Sequence, residues 1–172
     1  PFPRKLFPQN FVRIVSDFFW IFFEKSSNFV QNIPQKCYYK EYMYTALFVK
    51  DVASLLKRFP PKHGKVFGEH STIVFDPTSL EGIEIGKESK IKIIGRAYDQ
   101  YGDDLLVENP KSKNTYPHIT LSRADGAPRL YSQVLFAKDE AENHMEYFDD
   151  EYVEVVEGYS KDGVIVVNKG VD

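Results

Sequence analysis

Tyr116-Pro117-His118-Ile119-Thr120-Leu121-Ser122 places an imidazole and a hydroxyl two positions apart in a run with strand character. Glu69-His70-Ser71-Thr72-Ile73-Val74-Phe75 repeats the pattern upstream. Side chains alternate faces along a strand, so His118 and Thr120 point the same way, as do His70 and Thr72. If the two strands lie next to each other, one cleft holds two imidazoles and two hydroxyls. Such a set can bind a phosphate and move protons on either side of it. The copies are 48 residues apart, far enough for one in each half of a domain. His63 and His144 sit in loop-like or acidic stretches and do not repeat the pattern. The bland alternative is a pair of strand histidines bonded to backbone or to neighbouring hydroxyls.

Working outward, the elements around both motifs form strands and helices in turn. Tyr44 to Val49 is a nearly all-apolar strand, which suits a central position. A helix over Asp51 to Phe59 has Val52, Leu55, Leu56 and Phe59 on one face and stops at Pro60-Pro61. A basic loop from Pro61 to Gly68, with Lys62, His63 and Lys65, leads into the first His-x-Thr strand, expected from about Val66 to Phe75. Ile83 and Ile85 mark a short strand, and two longer ones, Ile91 to Tyr98 and Asp104 to Glu108, join through residues 100–103. After a polar loop over 109–114 comes the second His-x-Thr strand, from about Thr115 to Ser122. The turn 125–128 precedes a helix from about Arg129 to Lys138, expected to turn Leu130, Val134 and Leu135 inward. Asp139 to Glu157 carries nine carboxylates and no Lys or Arg, a solvated acidic face or loop. Tyr152 to Val156 and Val164 to Val167 close the chain as a hairpin about Lys161-Asp162-Gly163.

Residues 1–36 have a different character. Pro1, Pro3 and Pro8 keep the start irregular, and Asn10 caps a helix from about Phe11 to Phe23 that is apolar almost all round. That run is too short and interrupted to span a bilayer, which takes about 20 apolar residues. It reads as a helix docked on the domain body; the sharper alternative is a contact for a membrane surface or a neighbouring domain. The expected division is therefore 1–36 and 37–172.

The 172 residues argue for one main domain able to bury its own core. An apolar fraction of 42% and a charged fraction of 27% are ordinary for a globular chain, with 14 Phe and 11 Tyr. A net charge of -3 excludes a strong overall field for nucleic acid, so any RNA contact comes from a local patch. Cys37 is the single cysteine, which fits a reducing compartment and an intracellular location. The start at Pro1 reads as a fragment or a processed form, with no signal-peptide layout.

The order of these pieces resembles the 2H phosphoesterase superfamily, whose members carry two His-x-Thr/Ser motifs on facing strands of a two-lobed α/β fold. The resemblance covers about Tyr42 to Val167. Gly126-Ala127-Pro128-Arg129-Leu130-Tyr131-Ser132 looks most like the branch found in RNA-repair proteins, including the cyclic phosphodiesterase modules of fungal and plant-type tRNA ligases. The resemblance implies an α/β (or α+β) architecture in which small, mainly antiparallel sheets flank a cleft with helices outside. It implies a phosphodiesterase needing neither metal nor cofactor, acting on 2′,3′-cyclic phosphates of RNA ends or nucleotides, or on 2′-5′ linkages.

On that reading one of His70 and His118 activates water and the other protonates the departing ribose oxygen. Imidazole titrates at ~6.5, which lets one copy be neutral and the other charged near neutrality. Thr72 and Thr120 donate to the non-bridging oxygens. Family habit makes the product a 2′-phosphate. Tyr44, Tyr116 and Tyr131 are candidates for base stacking, and Lys65 and Arg123 for phosphate contact, each against a plain reading as core filler or solvated charge. A metal site is the rival use of paired histidines, but no third ligand stands at metal spacing. Neither a Gly-x-x-x-x-Gly-Lys-Ser/Thr loop nor a Gly-x-Ser-x-Gly elbow is present. The alternative from another class is a non-catalytic RNA-binding or scaffold module with the same fold.

Overall fold

A computed structural model describes residues 43–128, 130–142 and 145–168, without the side chains of 139–142. The expected N-terminal helix, the boundary at 36/37, Cys37, Arg129 and His144 lie outside the described residues. The described elements are β1 (Met43–Val49), α1 (Val52–Arg58), β2 (Lys65–Val66), β3 (His70–Phe75), β4 (Glu88–Tyr98) and β5 (Gly102–Val107). They continue as β6 (His118–Arg123), α2 (Tyr131–Glu142), β7 (Glu146–Lys161) and β8 (Val164–Val166). The architecture is α+β and strand-rich.

All described strands join one antiparallel sheet: seven in the order β1-β3-β6-β5-β4-β7-β8, with β1 also paired to β7, and the short β2 paired to β6 off that path. Six strands thus close on themselves as a barrel, which removes their free edges. Hydrogen bonding is continuous around the ring, where small separate sheets were expected. Each half keeps one His-x-Thr strand: β7-β1-β3 on one side and β6-β5-β4 on the other. Between β3 and β6 the ladder narrows to the single register pair Ser71 and Ile119.

The core fills the barrel. Alternation along each strand sends one set of apolar residues inward: Leu47, Ile73, Ile119, Leu105, Ile93 and Val155 come from six different strands and are all buried in one cluster. Leu55 and Phe59 from the α1 segment join it. Asp51 caps α1, its Oδ1 accepting from the Ser54 backbone N–H at 2.9 Å. A second cluster lies outside the barrel, where Leu135 and Phe136 of α2 pack against Ala97 and Leu106. The buried Arg96 Nε donates to Asp103 Oδ1 at 2.9 Å; Asp103 Oδ2 accepts from the Lys62 N–H and the Ser122 hydroxyl, tying the basic loop to the sheet.

Several expectations change. Ile83 and Ile85 form no strand: Gly82 (φ 80°) and Gly86 (φ 83°) turn the chain on either side, leaving too few residues to pair. Leu130 is 80% exposed and Val134 57% exposed, not inward. The face of α2 that packs is Ser132, Leu135 and Phe136, a period-3.6 set whose phase is fixed by a polar residue. The acidic stretch after residue 145 is part of β7 rather than a loop, and it bears the expected solvated acidic face in Glu146, Asp149, Asp150 and Glu154, with Glu157 the exception. Glu157 there is buried and accepts from Lys111 Nζ at 2.7 Å. The hairpin about residues 161–163 is present. Among the described residues no helix is long and apolar enough to cross a membrane.

Candidate active site

Ser71 and Ile119 are paired and both fully buried toward the barrel core. Their chain neighbours must therefore point the other way. His70 and Thr72 flank Ser71, and His118 and Thr120 flank Ile119, so all four side chains project from the outer face around one register pair. They line a cavity of about 750 Å³. Both motifs lie on strands with each pair on one face, and the sheet brings the four side chains together. Gly68 makes the approach possible. Its φ of 98° bends the chain between β2 and β3, and its N–H donates to the Thr120 carbonyl at 2.8 Å. A Cβ there would be strained in backbone and would crowd Leu56 at 3.2 Å.

The two motifs are wired differently. His118 Nδ1 lies 2.7 Å from the Tyr116 carbonyl oxygen, which can only accept, so Nδ1 carries the proton and Nε2 remains for the cavity. His70 has no such anchor. Its Nδ1 is buried without a partner, and the rings of Tyr44 and Phe48 stand 4.9 and 5.9 Å away. Burial, with a smaller contribution from the charge of His118, lowers the His70 pKa to about 4. His70 is therefore neutral near pH 7.

Thr120 is held from behind. Its Oγ1 accepts from Arg123 at 3.3 Å, and Arg123 also donates to Asp104 at 2.9 Å. The Ser132 hydroxyl donates to Asp104 at 2.9 Å and accepts from Arg123. Thr120 Oγ1 also lies 3.4 Å from Ser132 Oγ, and because the Ser132 proton goes to Asp104, the Thr120 hydroxyl is the donor of that long contact, for which a substrate oxygen would compete. The Thr72 hydroxyl has no hydrogen-bond partner among the described residues.

The other candidates sort differently. Tyr44 packs on His70, and Tyr116 packs on Phe136 at 6.0 Å. The Tyr131 hydroxyl donates to Asp99, and burial followed by that bond raises its pKa to about 12. Arg123 lines the cavity, but Asp104 already neutralises it. Lys65 lines the cavity and pairs with exposed Asp125 at 3.0 Å. His63 lies 3.4 Å from the Gly102 carbonyl, away from the cavity. Sequence reasoning missed Asp104, Ser132 and Gln133. No local pattern marks them, since each acts on a motif residue only through tertiary contact. Exposed Phe67, Phe75 and Leu130 form an apolar rim. Among the described residues no three His, Cys, Asp or Glu side chains converge to hold a metal ion.

Comparison with protein-family models, with curated proteins and with solved structures finds no match.

Proposed function

We propose that this protein is a metal-independent phosphodiesterase of the 2H type that opens 2′,3′-cyclic phosphates at RNA ends or on nucleotides. The observation that carries the reading is the convergence of His70, Thr72, His118 and Thr120 on one cavity around the Ser71–Ile119 pair. The halves β7-β1-β3 and β6-β5-β4 are read as the two lobes of a 2H-like architecture. His70, neutral near pH 7, is the base, and His118 is the acid. A water oxygen bonds to phosphorus as His70 takes its proton, and the bond from phosphorus to the ribose 3′ oxygen breaks as His118, entering the step protonated on both nitrogens, gives that oxygen the proton of Nε2 and keeps Nδ1–H on the Tyr116 carbonyl. A 2′-phosphate and a free 3′-hydroxyl result. Thr72 and Thr120 donate to the non-bridging oxygens, where negative charge gathers in the transition state. The expected setting is intracellular.

A non-catalytic RNA-binding module is the second reading. Exposed Phe67 at the rim is the observation behind it, an aromatic face on which a base can stack without any reaction.

The test is incubation with an RNA oligonucleotide ending in a 2′,3′-cyclic phosphate, with EDTA present, beside the His118→Ala variant. Conversion to a 2′-phosphate end by the wild type alone is expected. A 3′-phosphate product would reverse the leaving oxygen. Tight binding without turnover of this substrate, of small cyclic nucleotides or of 2′-5′ linkages would sink the enzyme reading in favour of the binding module.

A further inference from the structure

Gln133 of α2 bonds both backbone groups of Tyr116, a residue of the second motif, and so holds the two peptide units that flank its Cα. Its Oε1 accepts from the Tyr116 backbone N–H at 3.1 Å, and its Nε2 donates to the Tyr116 carbonyl at 2.8 Å. The two backbone partners fix the orientation of the amide, since a flipped side chain would oppose donor to donor and acceptor to acceptor. The same carbonyl accepts from His118 Nδ1. Its two lone pairs serve both donors. Gln133 Nε2 also lies 3.2 Å from His118 Nδ1. The second N–H of Gln133 finds no acceptor there, because Nδ1 bears a proton directed at the carbonyl and has no lone pair left, so this contact is proximity rather than a bond.

The local backbone cannot do this work alone. Tyr116 lies before the start of β6; Pro117 brings no N–H, and the sheet holds it through its carbonyl alone, which accepts from the Val107 N–H at 2.9 Å. The helix supplies the missing order: Phe136, one turn from Gln133, lies 6.0 Å from the Tyr116 ring and 6.1 Å from the His118 ring.

We propose that Gln133 is a positioning residue for His118: by clamping the Tyr116 backbone it fixes the Nδ1–H tautomer and leaves Nε2 to the cavity. Which ring nitrogen bears the proton is set by the hydrogen bond the other side of the ring makes. The consequence for turnover rests on the phosphodiesterase reading; the placement of the ring does not.

The experiment is imidazole 15N NMR of the full chain at a pH where His118 is neutral, on wild type, Gln133→Met and Gln133→Glu. Wild type is expected to give the Nδ1–H signature at His118. Gln133→Met keeps the length of the side chain but loses both bonds, and is expected to give a mixed or Nε2–H signature. Gln133→Glu loses the bond to the carbonyl yet places a carboxylate oxygen where it can itself accept from Nδ1, so the Nδ1–H form is expected to persist. A scaffolding role alone would move both variants alike. An Nε2–H wild type, an unchanged signature in Gln133→Met, or its loss in Gln133→Glu would each overturn the proposal. Should Gln133→Met lose the native amide spectrum, Gln133→Leu, which also lacks both bonds, carries the same expectation and the same overturning result.

With a cyclic phosphate substrate, Gln133→Met should lower kcat by roughly tenfold to a hundredfold, with KM nearly unchanged. Wild type inactive on every cyclic phosphate would defeat the phosphodiesterase reading and leave the NMR result standing.

Discussion

At the residue scale the two histidines differ in what surrounds them, and that difference is measurable without a substrate. His70 has a pKa of about 4 in the folded chain, against ~6.5 when unfolded. A depressed folded value means that the unfolded chain binds the proton more readily. Stability is therefore full above about pH 6.5 and falls as pH drops toward 4, by at most about 3 kcal/mol. Urea titrations at pH 7 and pH 4.5 should show this loss in wild type and a smaller one in His70→Leu; equal losses would contradict it. The catalytic corollary concerns the acid limb of kcat/KM. A base with this pKa works down to about pH 4, so the limb should fall near 4 rather than near 6.5. Phosphate in the cavity would favour the charged ring, which makes free-enzyme kinetics the relevant measurement.

At the element scale, α2 is the piece whose reading changed most, and its energetics follow its true phase. Phe136 is fully buried, while Val134 is mostly exposed. Phe136→Ala should cost about 3–5 kcal/mol and Val134→Ala less than about 0.5 kcal/mol, read from urea midpoints. The sequence offered Leu130, Val134 and Leu135 as the apolar face, and that set is apolar. It loses because Ser132 must meet Asp104 and Arg123, and helical geometry then puts Leu135 and Phe136 inward. α1 followed its sequence closely, with Leu55 and Phe59 in the core; Asp51, expected as its first residue, is instead its cap. Removing the cap with Asp51→Ala should cost about 1 kcal/mol, checked by the same titration. The strands were legible in kind but not in their limits. β3 begins at His70 because Gly68 bends the chain just before it. The expected strand at Ile83 and Ile85 fails because two positive-φ glycines enclose it.

For the whole molecule, the closed sheet makes the two halves one cooperative unit. Leu47 and Ile73 from one half and Leu105 and Ile119 from the other share a single buried cluster, so neither half has a core of its own. Native-state hydrogen exchange should accordingly give the slowest amides of β1 and β5 the same opening free energy. A half that opens separately, with a clearly lower value, would show that the lobes fold independently. Unity also matters for the site. The four motif side chains straddle the join between halves, at the one register pair that links β3 to β6. Any slip there by one residue would turn His70 and Thr72 into the barrel and expose Ser71.

The sequence by itself determined the two His-x-Thr pairs, their strand setting and the sharing of a face within each pair, because the period of a strand is local and needs no partner. It also determined α1 and the turn of the closing hairpin, which rest on apolar periodicity and turn residues, though β8 pairs with Tyr159–Lys161 rather than with the expected Tyr152 to Val156. Tertiary structure alone decided that the motifs adjoin, that their strands belong to one barrel, and that the site lies on its outer face. It alone decided that His70 is starved of partners while His118 and Thr120 are backed by Gln133, Arg123, Ser132 and Asp104. Adjacency, burial and hydrogen bonding join residues distant in sequence, so no local pattern records them; they exist only once the sheet has closed.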